Sequence, residues 1–478
     1  MKSTFTALLN WFESRLKLRE TVLPLLTHPV PKGVNWWYVF GSATLTFFML
    51  QVVTGICLAM VYVPSTEEAY ESLNYLNYHQ PLGWFLRALH YYGATGMVMM
   101  LAVHMTQVFL WGAYKYPREL TWLVGVVLLA LTLGLAFSGQ VLRWDTDAYW
   151  GIGVMASAAG RAPVVGPQVV ETILGGPTIG AATLSRFFAL HVFVLPILLV
   201  LTLAVHLHLV VHKGISEPPV PGKKVDPATY DAEYEKELVN GEPFFPDALY
   251  KDGIFSILAV LTVVAIAAIM GPYGPGEPPD PTMTHANPRP DWYFLSAFAL
   301  MALMQPELEE VVILILPVAV FGVLAVLPFV DNKGERAPQR RPFAVLIVVV
   351  LWSCFFVLVW LGFKAPWSPP MTAWSGDAVP PNLLDNRTPL EATGAAVFQN
   401  KTCRNCHALE GIGGVRGPDL TAVGTRLTHD ELIRQVLQGG GNMPAYGQQL
   451  SPPEVEALVA FLGRLRPPGE KAAQSTSR

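Results

Sequence analysis

HYYGATGMVMMLAVH (residues 90–104) and HVFVLPILLVLTLAVH (191–206) each begin and end on a histidine, with an apolar run between. On a helix rising 1.5 Å per residue, these spacings put His90 about 21 Å from His104 and His191 about 23 Å from His206. At about 100° per residue, the two rings of a pair fall within about 40–60° of one face. A hydrocarbon core is about 30 Å thick, so each helix would carry one histidine toward each side of a membrane. Two such helices facing each other can hold two metal centres stacked across it.

The composition agrees with a membrane setting. Of 478 residues, 52% are hydrophobic and 14% charged, against about 25% charged in soluble domains. The mean hydropathy is +0.38. The net charge of −4 gives no reason to expect a nucleic-acid partner. Seven stretches are long and apolar enough to span: 34–63, 84–111, 121–142, 184–211, 253–271, 311–330 and 343–363. The expected fold is all-α: a polytopic membrane helical bundle of about seven spans, plus a small all-α C-terminal domain.

The organisation reads as follows. Residues 1–33, including LLNWFESRLKLRE, mix charge with apolar residues and read as an amphipathic surface segment rather than a cleaved leader. Residues 34–212 form a four-helix core, 213–252 a charged connection, and 253–365 a three-helix part. Residues 366–390 are a Pro-rich linker, 391–467 a compact polar domain, and 468–478 a disordered tail. Ala148 to Ala182, between spans three and four, reads as short surface helices and loop, PQVVETIL among them.

Lys115, Arg118, Lys213, Lys223, Lys224, Lys236, Lys251, Lys333, Arg336, Arg340 and Arg341 all fall in loops on one side, whereas the loop after span one has no Lys or Arg. The positive-inside rule then makes the N-terminus cytoplasmic, and seven spans put the C-terminal domain on the outer, periplasmic side of a bacterial inner membrane.

Cys57 and Cys354 lie in apolar stretches and read as small buried residues. Cys403-Arg404-Asn405-Cys406-His407 differs, because C-x-x-C-H is the c-type haem attachment pattern. Two thiols can form thioethers and the adjacent imidazole can ligate the iron, with Met443 in GGGNMPAYG the candidate second axial ligand. A thioredoxin-like pair or half a zinc site are the rivals; no second C-x-x-C and no βαβ pattern supports either. In the membrane, paired imidazoles suit bis-histidine b-haems that carry electrons without binding oxygen. Gly41 and Gly55, and Gly125 and Gly139, each stand 14 apart, repeating the period of the first histidine pair. Their missing side chains would let a flat macrocycle lie against the backbone.

With these residues in view, the sequence resembles the cytochrome b family of quinol-oxidising cytochrome bc complexes over roughly residues 10–365. The likeness rests on the histidine pairs, the matched glycines, PRELTW (117–122), APVVGPQVVETILGG (162–176) and PDWYF (290–294). The 15-residue spacing of His191 and His206 resembles the photosynthetic quinol–plastocyanin branch, with both of its pieces in one chain. The C-terminal domain resembles small class I cytochromes c. The resemblance implies that His90 and His191 ligate an outer, low-potential haem, and His104 and His206 an inner, high-potential one. It implies that Arg87 pairs with a haem propionate, against a plain snorkelling role. It also implies that Asp291, in the place of the family's PEWY glutamate, accepts a proton from quinol, against a helix N-cap role. Tyr293 would position the quinol or pack.

Some positions depart from the pattern. Val39 stands where the photosynthetic branch has a haem-attaching cysteine. Arg143-Trp144 replaces a proline–tryptophan pair and puts an unexplained charge near the outer quinone pocket. Val211 lacks the expected basic character, and His212 and Lys213 follow it, either near the inner quinone site or as a solvated interfacial pair.

The family implies a quinol:cytochrome c-type (Q-cycle) oxidoreductase subunit working with a Rieske iron–sulfur protein, membrane quinone and a further electron acceptor, in a homodimeric complex. A dihaem membrane anchor that passes electrons between quinone and a dehydrogenase is the rival function.

Overall fold

The computed structural model describes residues 2–17, 20, 26–176, 179–280, 288–304, 306–364, 378–413, 417–439, 443, 446–447, 449–467 and 469–473. Its helices in chain order are α1 (Lys2–Leu16), α2 (Phe40–Ala59), α3 (Ala69–Tyr78), α4 (Gly83–Leu110), α5 (Glu119–Val141), α6 (Thr146–Gly160), α7 (Gly166–Leu174) and α8 (Ala181–Lys213). They continue as α9 (Tyr230–Val239), α10 (Leu249–Met270), α11 (Trp292–Ala302), α12 (Pro306–Val330) and α13 (Pro342–Lys364). Among the described residues seven helices are long and apolar enough to cross a membrane: α2, α4, α5, α8, α10, α12 and α13.

In the bundle, α2 lies along α4 and α5 along α8. Helix α10 packs on α2 and α4, α12 on α5, and α13 on α4 and α11. Phe47, Phe48, Met97, Leu199 and Val263 fill the centre. Lipid-facing surfaces carry large apolar side chains, such as Val318, Val323 and Leu351, as they must where hydrocarbon is the solvent. Helix α8 is continuous but widens into one π turn at Leu190–Val194. Pro196, in the next turn, has no N–H to return to the preceding turn, and a π turn absorbs that loss. His191 lies inside this wider turn.

At one end of the bundle, called outer after the orientation expected from the charges, the segment 271–280 is tied down as a roof. The Gly276 carbonyl accepts from the Tyr70 hydroxyl at 2.8 Å and that of Gly274 from Asn77 Nδ2 at 3.2 Å. Pro278 accepts from Thr146 Oγ1 at 2.7 Å and Asp280 from Trp150 Nε1 at 3.2 Å. Beneath it α3, α6 and α7 share an apolar cluster that includes Leu73, Ile152 and Leu174.

The opposite end, inner in that expected orientation, is more ordered than a string of solvated charges. Two-residue strands pair Pro29–Val30 with Glu242–Pro243 and Lys224–Val225 with Gly334–Glu335. Arg118 is buried and donates to the Tyr230 hydroxyl at 2.7 Å and the Gly214 carbonyl at 2.9 Å. Buried Arg336 pairs with buried Glu217 at 2.8 Å. Lys115, Tyr114 and Arg341 converge on Asp331.

The C-terminal domain comprises α14 (Pro389–Asn400), α15 (Val423–Arg426), α16 (His429–Gln438) and α17 (Pro452–Gly463). Capping boxes at Thr388, Thr428 and Ser451 start three of them, each satisfying orphan N–H groups at a helix entry. Helices α14 and α17 cross at Gly394, where a Cβ would meet the Ala457 carbonyl oxygen at 1.9 Å. Val379, Phe398, Leu409, Leu458 and Phe461 belong to its core, so this domain draws on residues ahead of 391.

Candidate functional site

The four histidines and four glycines form one register. A Cβ built on Gly55 would lie 3.2 Å from His90 Cε1, and one on Gly41 3.2 Å from His104 Cε1. Across the bundle, Gly139 meets His191 Cε1 at 2.8 Å and Gly125 meets His206 Cε1 at 3.6 Å. As the glycine number rises the histidine number falls, because α2 runs against α4 and α5 against α8. The sequence reading laid a macrocycle on these glycines. In the structure each glycine makes room for an imidazole ring of the neighbouring helix.

The outer pair faces across the bundle, with His90 and His191 ring centroids 6.3 Å apart and their planes at 78°. Two imidazole nitrogens each about 2.0–2.1 Å from one metal, with about 1.1 Å from nitrogen to ring centre, give a centroid separation of about 6.3 Å. The rings are therefore spaced as two axial ligands of one iron. Their tautomer follows from the hydroxyls behind them. Thr54 Oγ1 lies 2.9 Å from His90 Nδ1 and donates its own proton to the Leu50 carbonyl at 2.6 Å. Ser138 Oγ lies 3.0 Å from His191 Nδ1 and donates to the Leu135 carbonyl at 3.1 Å. Each hydroxyl has spent its one proton and can only accept, so Nδ1 carries the hydrogen and Nε2 keeps a lone pair for a metal.

In the inner pair, Nδ1 of His104 and of His206 is buried without a hydrogen-bond partner among the described residues. Among the described residues no group of three or more His, Cys, Asp or Glu gathers to hold an ion. Paired imidazoles fit a macrocyclic iron, whose other four ligands come from the ring.

Around the outer pair, Arg87 is buried, with its guanidinium donating to Asn77 Oδ1 at 2.9 Å, to the Tyr273 carbonyl at 2.6 Å and to the Gly274 carbonyl. It holds the roof segment, which no pattern in the sequence signals. Asp291 opens α11, yet its side chain makes no capping bond. The carboxylate instead accepts from the Tyr293 hydroxyl at 2.8 Å. Burial raises the Asp291 carboxyl above the usual carboxylate range, opposed by the Tyr293 hydrogen bond and by Arg143. Burial and the nearby Asp291 push the Tyr293 phenol up as well, so it stays a donor.

Arg143, unexplained from sequence, pairs with Asp145 at 3.4 Å. Val39 is buried at the start of α2 and His208 stacks on His212 at 5.8 Å on the exposed end of α8.

In the C-terminal domain the backbone turns tightly over the motif, with His407 N donating to the Cys403 carbonyl at 3.0 Å. His407 Nδ1 donates to the Pro418 carbonyl at 2.8 Å, which leaves Nε2 free to ligate. Gly417 is necessary there, since a Cβ would lie 2.3 Å from His407 Cε1. Neither Cys403 nor Cys406 is in a disulfide, and burial pushes the Cys403 thiol up to about 12. Met443 packs against the domain core, its sulfur accepting from Gln435 Nε2 at 3.4 Å. The residues present therefore fit a covalent haem.

Comparison with known proteins finds three matching families. Residues 25–214 match the family described as Cytochrome b/b6/petB and residues 278–377 that described as Cytochrome b(C-terminal)/b6/petD. Residues 389–462 match Cytochrome C oxidase, cbb3-type, subunit III. Cytochrome b of Rhodobacter capsulatus is 32% identical over 381 residues, covering 75% of this chain and 84% of that protein. A cytochrome bc complex cytochrome b subunit of Chlorobaculum thiosulfatiphilum is 35% identical, covering 72% and 78%. Cytochrome b6 of Synechococcus elongatus is 38% identical over 209 residues, 44% of this chain and 97% of its own length. A solved structure titled "Hyperthermophilic respiratory Complex III" superposes with a TM-score of 0.61 at 26% identity, covering 75% of this chain and 92% of its own. Carrying both cytochrome b parts on seven membrane helices and a cytochrome c domain behind them, this multi-pass membrane protein belongs to the cytochrome b family of bc-type complexes.

Proposed function

We propose that this chain oxidises membrane quinol at the outer end of the bundle, as the cytochrome b and c subunit of a Q-cycle quinol:cytochrome c-type oxidoreductase. His90 and His191 would hold the outer b-haem, and His104 and His206 the inner one. Cys403 and Cys406 would attach the c-haem, with His407 and Met443 holding its iron. Bound there, these groups supply one-electron redox chemistry on two branches.

The chain's own residues prepare the substrate. Asp291 takes the proton of a quinol hydroxyl, and its burial moves its basicity toward the operating pH. Tyr293 orients that carboxylate and the quinol beside it. Arg87 holds the roof and would pair with a propionate of the outer haem. One electron leaves to a separate Rieske iron–sulfur protein, and from there to the c-domain. An Fe–S cluster needs several Cys or His ligands, and the remaining cysteines, Cys57 and Cys354, sit on separate membrane helices. The second electron crosses to a quinone at the inner end, so protons are released outside and taken up inside. The complex is a homodimer in a bacterial inner membrane, with the c-domain periplasmic.

The observation that carries this reading is the register in which four glycines each face one of four histidines. A pyridine haemochrome assay on the purified complex tests it. Two b-haems and one c-haem per chain are expected, and His104→Ala is expected to lose the inner b-haem. A preparation without b-haem, or a His104→Ala protein that retains both, overturns it.

A further inference from the structure

We infer that Thr54 and Ser138 are positioning residues for electron transfer: by accepting from Nδ1–H of His90 and His191, they hold the reduction potential of the outer b-haem below that of the inner one. This rests on the reading of the four histidines as b-haem ligands given above.

The difference between the two sites lies one residue ahead of each glycine. Gly55 and Gly139, which face His90 and His191, follow Thr54 and Ser138. Gly41 and Gly125, which face His104 and His206, follow Phe40 and Val124. Thr54 and Ser138 are each 2% exposed. Each hydroxyl gives its proton to a carbonyl of its own helix, that of Leu50 on α2 or of Leu135 on α5, a local bond open to Ser and Thr inside a helix. The bond fixes the oxygen and leaves a lone pair for the imidazole, 2.9 Å from His90 Nδ1 and 3.0 Å from His191 Nδ1. The hydrocarbon side chains of Phe40 and Val124 offer no acceptor. Nδ1 of His104 and of His206 is buried with no hydrogen-bond partner among the described residues. All four rings meet a glycine, and among the described residues only the outer two are bonded to a hydroxyl.

This asymmetry has an electronic consequence. An acceptor behind Nδ1–H lets the ring carry more negative charge and makes it a more basic ligand. A more basic ligand favours ferric over ferrous iron, so second-shell hydrogen bonding of this kind lowers a haem's potential. The effect is stronger in an interior of low dielectric, where water does not compete for the bond. Two such bonds act on the outer site. One electron leaving a ferrous outer iron for a ferric inner iron, with the outer left ferric, the inner made ferrous and no proton moved, then runs downhill across the membrane.

The test is a measurement of both b-haem midpoint potentials in the purified complex, by stepwise reduction followed optically. A pyridine haemochrome assay checks that two b-haems are present. Thr54→Val and Ser138→Ala each remove one acceptor, and each is expected to raise the outer potential while the inner one stays. Thr54→Ser keeps the hydroxyl and is expected to keep the parent potential. Val124→Thr puts a hydroxyl ahead of Gly125 and is expected to lower the inner potential while the outer one stays. Loosened packing does not produce shifts of opposite sign at the two sites. An outer potential that stays or falls in either loss variant overturns the inference, as does an inner potential that fails to fall in Val124→Thr. A rise in Thr54→Ser equal to that in Thr54→Val makes the effect one of packing and overturns it too. If Thr54→Val does not hold the outer haem, Ser138→Ala decides by the same signs. A preparation without b-haem overturns the reading of the histidines, whereas two b-haems with unmoved potentials overturn only the role of the hydroxyls.

Discussion

His191 and His206 are held to different tolerances, and the glycines opposite them measure the difference. A Cβ at Gly139 would stand 2.8 Å from His191 Cε1, closer than real side chains approach. That ring cannot retreat freely, because Ser138 holds its Nδ1 and the π turn fixes the backbone behind it. At Gly125 the same atom would stand 3.6 Å from His206 Cε1, an ordinary contact. Gly139→Ala is therefore expected to lower occupancy of the outer b-haem, at a cost of about 1–3 kcal/mol for overpacking. Gly125→Ala is expected to keep the inner one. Reduced-minus-oxidised spectra of the two proteins read this directly, and equal losses at both sites would count against the register. The same scale explains Asp291. A carboxylate at the start of a helix can cap it or serve as a base, and the resemblance favours the base for Asp291. Tyr293 takes the side chain away from the helix N-terminus.

At the scale of elements, the membrane helices were legible because hydrophobic length is a local property, and the inner end was not. The apolar window beginning at 34 runs past a polar break. Asn35 accepts from Trp37 N at 3.0 Å and starts a single 3-10 turn at Trp36–Tyr38, so α2 begins only at Phe40. The strand pairs at the inner end are two residues long and join segments over a hundred positions apart, which no periodicity encodes. The charges between them set orientation in the sequence and turn out to carry structure as well. Glu217 shows this most clearly. Burial raises its carboxyl, but Arg336, its own backbone N–H, the Tyr230 hydroxyl and Arg118 together bring it below the usual carboxylate range. A carboxyl lowered by folding contributes stability above its unfolded pKa of about 4.3, and loses it as pH falls through the folded value. Glu217→Gln is expected to destabilise the complex by about 3–5 kcal/mol, because it leaves Arg336 buried without its charge partner. It should also flatten the acid side of the thermal-stability curve. A melting temperature unchanged at neutral pH would show that the pair is not structural.

At the scale of the molecule, the two halves of the chain keep separate cores. Among the described residues, the apolar cluster of the C-terminal domain runs from Val379 to Leu465 and contains no residue of the membrane bundle. The clusters of the bundle draw on residues up to Leu327 and none from the C-terminal domain. The four histidines, their glycines and the hydroxyls behind them all lie between Gly41 and His206. The proposed b-haem sites therefore depend on helices α2, α4, α5 and α8, which would persist without the domain that carries CRNCH. A chain ending at Lys364 is expected to assemble with both b-haems in unchanged ratio and no covalent haem, as read by pyridine haemochrome and by haem staining after denaturing electrophoresis. In the purified complex, quinol should still reduce the b-haems of this shortened chain, while delivery of electrons to an acceptor beyond the c-haem stops. If shortening the chain also empties the b-haem sites, the two cores support each other in a way their separate packing does not explain. The fusion would then be part of the bundle's architecture and more than an electron outlet tethered to it.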